Sequence, residues 1–281
     1  MLYRGIAMTI AGSDSGGGAG IQADLKTFAA LRVFGTSAIA AVTVQNSVGV
    51  TDIQKISPDI VCGQIDRVAS DFSIGAFKTG MLGDVETVRM VAKTLMRLCV
   101  KWLVVDPVMV AQSGDRLTTP DTEDGIARTL IPLASLITPN LPEAERLLGL
   151  REHSIKTAED MEKAAVALCR LGCRGVLVKG GHLPKDIDRM VDVLYWEGEI
   201  HRFTADRLDT KNNHGTGCTL SAAIAAELSA GADMLLAVNR ARAYLRGAMQ
   251  NGFQPGAGAG SLGHAVRGHW IDPVPAIFID E

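Results

Sequence analysis

The chain has 281 residues, of which 47% are hydrophobic and 21% are charged, and its formal net charge is −3. This composition is typical of a soluble globular protein, and the weakly acidic balance gives no reason to expect nucleic-acid binding. The apolar N-terminus is too short for a signal or membrane-spanning helix, and five cysteines without paired spacing indicate free thiols. We therefore expect a cytoplasmic protein that binds neither nucleic acid nor a membrane.

The first half of the chain predicts short apolar strands that alternate with helices. Residues 6–11 form an apolar run that breaks into the glycine-rich stretch 12–20, and an amphipathic helix is predicted from residue 21 to about residue 31. In that helix, Asp24 and Lys26 fall on the predicted polar side. The further predicted elements are strands at 37–45, 75–79 and 102–106 and a helix at 85–98.

The second half continues the pattern and ends in two helices. Its predicted elements are strands at 136–138 and 175–179, a hairpin of 190–196 with 199–204, a helix start at 142–148, and helices at 158–171, 219–231 and 234–249. Strands without polar alternation, interleaved with helices, indicate a parallel sheet covered on both faces. We therefore predict a single three-layer α/β/α domain spanning residues 1–281, with a mostly parallel central sheet.

Polar or glycine-rich clusters follow six of the predicted strands. In open parallel sheets, ligands bind beyond the carboxyl ends of the strands. Each cluster alone is explained by an ordinary strand-to-helix turn, but together they predict one shared site. The clusters are 12–20, 45–46, 78–80, 106, 140–143 and 179–182.

A stretch near the C-terminus, residues 209–218, is predicted to bind an anion. Gly215 and Gly217 permit positive φ and close backbone approach, so consecutive N–H groups can point at one spot. The helix that follows adds the positive end of its dipole. Between residues 220 and 230 the only charged residue is Glu227, and a helix that is apolar on all sides is normally buried. The stretch therefore predicts a buried anion hole suited to a phosphate.

The glycine-rich stretch 12–20 is a second candidate for ligand contact. It lacks the Gly-Lys-Ser/Thr ending of a P-loop and the glycine spacing of a dinucleotide fingerprint. A loop of this composition could close over a small substrate, with Asp14 or Asp24 as a polar contact. On its own it identifies no ligand.

Three charged residues at strand or helix ends are candidates for handling a phosphate and its cation. Asp106 and Glu143 could hold Mg²⁺, which takes only one or two carboxylates and fills its other positions with water and phosphate oxygens. The alternatives are a turn cap for Asp106 and a first-turn acid favoured by the helix dipole for Glu143. Lys179 ends an apolar strand before two glycines, where its ammonium can meet a phosphate or, alternatively, reach solvent.

Cys218 begins the buried helix, where the dipole is expected to lower the pKa of its thiol. A thiolate there could accept the proton of a substrate hydroxyl that attacks a phosphoryl group. A small buried residue, or a thiol that positions substrate without taking its proton, explains the sequence equally well. A covalent thiol enzyme is a third alternative, but His214 is four positions away and no third partner is evident.

Seven motifs, in order along about residues 7–264, make the chain resemble the hydroxymethylpyrimidine/phosphomethylpyrimidine kinases of thiamine biosynthesis, within the ribokinase-like superfamily. Residues 265–281 lie outside the resemblance and receive no role. The seven motifs are GSDSGGGAGIQADLKTF, VTVQN, FKTGML, DPVMV, TPNLPEA, VLVKGGH and DTKNNHGTGCTLSAAIA.

The resemblance implies a site for each ligand of such a kinase. Cys218 matches the family's catalytic position, and the amides of Gly215, Thr216 and Gly217 would act with it and with Lys179. ATP would lie toward Asn140, Lys179 and Thr210, and Mg²⁺ toward Asp106 and Glu143. The pyrimidine pocket would be formed by Gly12, Ala19, Asp24, Gln45, Met81 and Val108, with the Gln45 amide pairing to the aminopyrimidine edge.

The resemblance also implies a reaction and an assembly. The family phosphorylates 4-amino-5-hydroxymethyl-2-methylpyrimidine with ATP and then phosphorylates the monophosphate, usually as a homodimer. The alternatives are a pyridoxal or pyridoxine kinase on the same fold and, from another class, a non-catalytic sensor of a nucleotide or vitamin precursor. A sensor has no need of Asp106, Glu143, Lys179 and Cys218 together.

Overall fold

The computed structural model describes residues 3–110, 114–183 and 189–266. Most of the C-terminal stretch to which the sequence assigns no role, residues 267–281, therefore lies outside the described residues. Within them, nine strands form one sheet in the order β3-β2-β1-β4-β5-β6-β7-β8-β9. The strands are β1 Ile6–Asp14, β2 Phe34–Gln45, β3 Val50–Lys55, β4 Ala76–Thr79, β5 Leu103–Val105, β6 Leu136–Ile137, β7 Gly175–Val178, β8 Arg189–Trp196 and β9 Glu199–Asp206.

The sheet is mostly parallel, as predicted. Every pair from β2 across β1, β4, β5 and β6 to β7 is parallel, whereas β3 pairs with β2, and β8 with both β7 and β9, in antiparallel register. The predicted hairpin is β8–β9, and its two turn residues, Glu197 and Gly198, have φ of 52° and 90°. Two positive φ values in a two-residue loop match the right-handed twist of the paired strands.

Eight α-helices connect the strands within the described ranges, and none of them is long and apolar enough to cross a membrane. Side-chain caps define several starts. Asp84 accepts from the N–H of Thr87, and Asn140 and Glu143 form a reciprocal capping box. The helices are α1 Gly20–Ala30, α2 Pro58–Ala69, α3 Val85–Arg97, α4 Pro120–Gly125, α5 Leu141–Leu147, α6 Ala158–Cys169, α7 Thr216–Ser229 and α8 Met234–Gln250.

The core consists of two hydrophobic clusters that share the sheet. Neighbouring residues of β1 belong to different clusters: Met8 packs with residues of α2, α3 and α6, and Ala7 with residues of α1, α7 and α8. Successive side chains of a strand point to opposite faces, so both faces of β1 are buried. This double burial explains why the central strands lack polar alternation.

The structure confirms the buried character of α7. All residues from Thr219 to Leu228 are buried, including Glu227. That carboxylate is neutralised by two arginines, at 2.7 Å from Arg4 Nη1 and 3.1 Å from Arg240 Nη1. A buried charge is tolerated because it is paired.

One prediction for α1 is wrong. Asp24 does not lie on a solvent-facing side, because its side chain is fully buried against the ammonium group of Lys78 from β4. The helix therefore buries a charge where an amphipathic pattern predicts an exposed one. The sequence also gave no indication of β3, α2 or α4, which connect or flank the predicted elements.

Candidate active site

The predicted site elements meet at the carboxyl edge of the parallel strands. Backbone hydrogen bonds continue the sheet past the strand ends, from the N–H of Asp106 to the carbonyl of Thr79 at 3.0 Å and from Lys179 to Pro139 at 2.9 Å. Helix α7 packs against β1, β4 and β5. Its N-terminus therefore joins the polar residues that follow those strands.

Gly215 and Gly217, the two glycines of the predicted anion hole, have different structural roles. Gly215 is the N-cap of α7 and has a φ of 84°, as predicted. Gly217, the second residue of α7, does not use its freedom to adopt a positive φ. Its small size matters instead, because a Cβ there would lie 3.3 Å from Lys179 Nζ and 3.5 Å from Asp106 Oδ2.

The start of α7 leaves hydrogen-bond donors unused. Among the described residues, no hydrogen bond uses the backbone N–H of Gly217 or of Cys218. Such free donors at a helix N-terminus, aided by the helix dipole, are suited to bind phosphate oxygens.

Lys179 lies between the two predicted cation ligands. Its Nζ is 3.1 Å from Asp106 Oδ1 and 3.9 Å from Glu143 Oε2, and its side chain is 14% exposed. Burial would lower the pKa of Lys179, but Asp106 and Glu143 raise it above the ordinary value. Asp106 also accepts hydrogen bonds from Thr138 and Ser221, at 3.3 and 3.4 Å. Lys179 therefore keeps its positive charge beside two carboxylates.

Glu143 combines a structural and an electrostatic role. Its carboxylate accepts the N–H of Asn140 at 2.8 Å in the capping box of α5. Burial raises the pKa of Glu143 to about 7, with Lys179 opposing the rise and Asp106 adding to it. Within the described ranges no group of three or more histidine, cysteine or acidic side chains could hold a metal, so Asp106 and Glu143 supply two carboxylates at most.

The thiol of Cys218 is less acidic than the sequence predicts. Burial raises its pKa to about 11, and the nearby carboxylates of Asp24 and Asp106 add to the effect. Lys78 and a hydrogen bond from the N–H of Gly20 act in the opposite direction. The prediction of a lowered pKa is therefore wrong, because desolvation of the thiolate outweighs the helix terminus.

The sequence placed Lys78 in the strand-end cluster 78–80 but predicted no role for its charge. This lysine of β4 is fully buried, and its Nζ lies 2.8 Å from Asp24 Oδ2, which also accepts the hydroxyl of Thr9 at 2.5 Å. Burial would lower the pKa of Lys78, but Asp24, Cys218 and Asp106 raise it. Its signal in the sequence is a single lysine inside a short apolar strand, where charged residues are rare.

The predicted pyrimidine contacts lie on the β1–β2 side of the site. Gly12 is packed against Met81, because a Cβ on the glycine would be 2.6 Å from Met81 Cε. Gln45 is half-buried at the end of β2 and, with Asn46 and His214, lines a cavity of about 290 Å³. Asp24 contributes one buried oxygen, Oδ1, that has no hydrogen-bond partner within the described part of the chain.

The remaining predicted contacts are arranged around these residues. Ala19 is the N-cap of α1, and the N–H of Val108 donates to the carbonyl of Asp106 at 2.8 Å. The Thr210 hydroxyl accepts the N–H of Asn212 at 3.1 Å, and no contact within the described ranges joins it to Lys179. The structure thus brings together the candidate phosphate and pyrimidine residues but leaves Thr210 outside their hydrogen-bond network.

Comparison with known proteins identifies relatives of this chain. The model of the family described as phosphomethylpyrimidine kinase matches residues 14–263. A hydroxymethylpyrimidine/phosphomethylpyrimidine kinase of Rhizobium meliloti is 48% identical over 270 residues, which cover 95% of this chain and 99% of the relative.

Two solved structures have a similar fold. A pyridoxal kinase of Bacillus subtilis, solved as an ADP complex, superposes with a TM-score of 0.86 at 36% identity and covers 94% of this chain and 98% of its own. A phosphomethylpyrimidine kinase of Clostridium difficile superposes with a TM-score of 0.76 at 39% identity, covering 86% and 97%.

Proposed function

The chain belongs to the phosphomethylpyrimidine kinase family, and we propose that it phosphorylates 4-amino-5-hydroxymethyl-2-methylpyrimidine and then its monophosphate. ATP would supply both phosphoryl groups, as kinases of this family imply. The observation that carries the proposal is the contact between Lys179, Asp106 and the first turn of α7, where a Cβ on Gly217 would lie 3.3 Å from the ammonium. A cation and free amide donors side by side suit a phosphoryl group in transfer.

The residues fit phosphoryl transfer by positioning and electrostatics, with little covalent work for the protein. Lys179 would bind the transferred phosphate, and the amides of Gly217 and Cys218 would stabilise the charge that develops on it. Gly215 and Thr216 would hold these amides in place as N-cap and first residue of α7. Asn140 would set the geometry next to the nucleotide through its capping box with Glu143.

Asp106 and Glu143 fit a Mg²⁺ ion that arrives with the nucleotide. Two carboxylates share one ammonium group, and burial makes their negative charge costly without a further cation. Mg²⁺ uses one or two carboxylates together with phosphate oxygens and water, which agrees with this donor set. The ion would neutralise phosphate charge during transfer.

The pyrimidine would be recognised by Gln45 and Asp24. A glutamine side chain offers one acceptor and two donors, which suits the edge of an aminopyrimidine ring. The unpartnered Oδ1 of Asp24 could accept a further ring amine. Gly12, Ala19, Met81 and Val108 would shape the pocket around the ring.

The role of Cys218 is best described as alignment of the attacking hydroxyl. With a pKa of about 11, the side chain is a neutral thiol near pH 7 and a poor proton acceptor in the free protein. A neutral thiol can still donate a weak hydrogen bond to the hydroxymethyl group or accept one from it.

A pyridoxal kinase is the second candidate, because the Bacillus subtilis pyridoxal kinase matches almost the full chain. The two substrates are aromatic rings of similar size with a hydroxymethyl group. The non-catalytic sensor has no comparable support, since the matching relatives are kinases.

We also infer three features of the working protein. The two hydrophobic clusters support a three-layer α/β/α arrangement with helices on both faces of the sheet. The family resemblance supports a homodimer. The free cysteines and the family's small-molecule substrates support action in the cytoplasm.

The decisive experiment measures ADP release with Mg·ATP and either hydroxymethylpyrimidine or pyridoxal, with mass spectrometry of the products. The proposal expects the pyrimidine to give the monophosphate and then the diphosphate, while pyridoxal reacts poorly. Turnover of pyridoxal alone would support the second candidate. Turnover of neither acceptor, in a protein that binds ATP, would contradict both kinase assignments.

A further inference from the structure

The contact between His214 and Asp14 joins two neighbouring segments of the site. We call residues 15–19, between β1 and α1, the pyrimidine loop, because they include Ala19, one of the proposed pyrimidine contacts; the loop before α7 carries the anion hole. His214 Nε2 lies 3.2 Å from Asp14 Oδ2, and both residues are buried. Because an ionised carboxylate only accepts, the imidazole donates this hydrogen bond.

Asp14 organises its own loop with the same carboxylate. Its Oδ1 accepts the N–H of Gly16 at 2.8 Å, and its Oδ2 accepts those of Gly18 and Ala19 at 3.0 and 2.8 Å. Burial would raise the pKa of Asp14, but the hydrogen bonds from His214, Ala19 and Gly16 hold it below the ordinary value. The carboxylate is thus fully used inside the protein, and the prediction of Asp14 as a free substrate contact finds no support.

The two loops are packed without spare room at this point. A Cβ on Gly18 would lie 2.2 Å from Cδ2 of His214, and one on Gly215 would lie 1.8 Å from the carbonyl oxygen of Gly18. Real Cβ contacts do not reach such distances, so each glycine is required for the loops to touch. A shift of either loop would therefore move the other.

The loop before α7 is also hydrogen-bonded to the C-terminal segment around Gly260. The N–H of His214 donates to the carbonyl of Gly260 at 3.1 Å, and the N–H of Gly260 donates to Lys211 at 3.0 Å. His214 is therefore fixed through its backbone to the C-terminal segment and through its side chain to Asp14. The loop of Asp14 is anchored as well, through Ser15 and Gln45, so the contact between His214 and Asp14 fixes the separation of two held segments.

We propose that Asp14 and His214 are positioning residues that set the distance between the pyrimidine loop and the anion hole. The inference rests on the proposed function, in which Ala19 contacts the ring and Cys218 aligns its hydroxyl. The Asp14 carboxylate accepts the N–H of Ala19, and Cys218 follows His214 by four residues in the chain. The pair therefore controls how closely the acceptor hydroxyl approaches the phosphoryl group.

The test compares His214→Leu, which removes the donor, with His214→Gln, whose amide can donate from a similar reach. His214→Leu and Asp14→Asn are expected to lower kcat by about tenfold to a hundredfold, because misplacement by about 1 Å has an effect of this size. The KM for the pyrimidine is expected to rise, and the KM for ATP to stay within about twofold. His214→Gln is expected to recover most of kcat, and the double variant Asp14→Asn/His214→Leu to be no slower than the slower single variant.

A second readout does not depend on turnover. Hydrogen exchange of the amides of Gly16, Gly18 and Ala19, measured without substrate, is expected to accelerate in His214→Leu and to stay slow in His214→Gln. His201→Leu on β9 serves as the control and is expected to change neither exchange nor kinetics. If the wild-type protein phosphorylates neither acceptor, the proposed function fails while the exchange experiment still tests the link between the loops.

Other outcomes would overturn the proposal. The first is unchanged hydrogen exchange in His214→Leu, and the second is equal kinetics for His214→Leu and His214→Gln. The third is a loss of kcat that parallels a lowered Tm while the KM values for the pyrimidine and for ATP stay unchanged. Should His214→Leu not fold, Gly18→Ala makes the same test, because its methyl group displaces the imidazole without removing a polar group. Normal kcat and normal exchange in Gly18→Ala would then contradict the proposal.

Discussion

Two lysine–carboxylate pairs lie close together beneath the anion hole and differ mainly in access. Lys78 and Asp24 are 2.8 Å apart, and both side chains are 0% exposed. Lys179 and Asp106 are 3.1 Å apart, with Lys179 14% exposed and shared with Glu143. Lys78 and the Asp24 oxygen that it contacts are closed to solvent, whereas Lys179 lies beside unused amide donors. We therefore expect the sealed pair to matter mainly for stability and the accessible pair mainly for the proposed reaction.

The largest effect is expected from breaking the sealed pair. Lys78→Met leaves the Asp24 carboxylate buried without its cation, which typically costs about 3–5 kcal/mol of unfolding free energy. Urea unfolding monitored by circular dichroism measures this loss. The double variant Asp24→Asn/Lys78→Met removes both charges and is expected to recover much of it. A double variant as unstable as Lys78→Met would show that lost packing, and not the unpaired charge, causes the instability.

Breaking the accessible pair is expected to affect the reaction more than the fold. Lys179→Met removes a cation from the proposed phosphate site, and loss of one such stabilising group lowers kcat by about 10²–10³-fold. Its effect on unfolding is expected to be smaller than that of Lys78→Met, because the side chain is partly exposed and Asp106 keeps the hydroxyls of Thr138 and Ser221. ADP release under saturating substrates measures kcat.

A matched surface lysine supplies the control for this comparison. Lys93 of α3 is exposed, and Lys93→Met is expected to change neither kcat nor unfolding. The distinction between the two pairs would not hold if Lys179→Met destabilised the protein as strongly as Lys78→Met while retaining its kcat.

The contrast also explains what the sequence could predict. Lys179 and Asp106 end apolar strands, so the rule that ligands lie beyond parallel strands pointed to them directly. Lys78 and Asp24 pair across α1 and β4, 54 residues apart in the chain. No local pattern encodes such a contact, and the amphipathic pattern of α1 placed Asp24 on the wrong side.

Burial explains why the pKa prediction for Cys218 is wrong. The helix N-terminus is visible in the sequence and favours a thiolate at Cys218, but the desolvation that raises its pKa arises only when α1, β4 and α7 pack together. The same limit applies to His214 and Asp14, which are 200 residues apart and meet only in the folded chain.

Cys218 interacts electrostatically with both Lys78 and Lys179. Its variants therefore test the site that lies between the sealed pair and the accessible pair. Cys218→Ala is expected to lower kcat by about a hundredfold, because misplacement of the attacking hydroxyl by about 1 Å has an effect of this size. The KM for ATP is expected to change far less. Cys218→Ser is expected to keep an intermediate kcat, because a hydroxyl can still align the acceptor.

The exposed Cys99 offers the control, and Cys99→Ala is expected to behave as wild type. A Cys218→Ala variant with near-normal kcat would remove the thiol from the mechanism. A serine variant as slow as the alanine variant would instead support a thiolate that takes the proton.

The smallest effect concerns the pH dependence of the accessible pair. The pKa of Glu143 is raised from 4.5 to about 7 in the folded protein, so between these values the folded state binds more protons than the unfolded state. Unfolding free energy therefore falls as pH rises through this window. Relative to Glu143→Gln, the wild type is expected to lose about 1 kcal/mol between about pH 6 and about pH 8. Urea titrations of both proteins across this range measure the difference.

The opposite outcome is a difference in unfolding free energy between the two proteins that stays constant or increases with pH. It would show that Lys179 fully compensates the charge of the Glu143 carboxylate, so that the accessible pair would be as well neutralised as the sealed one.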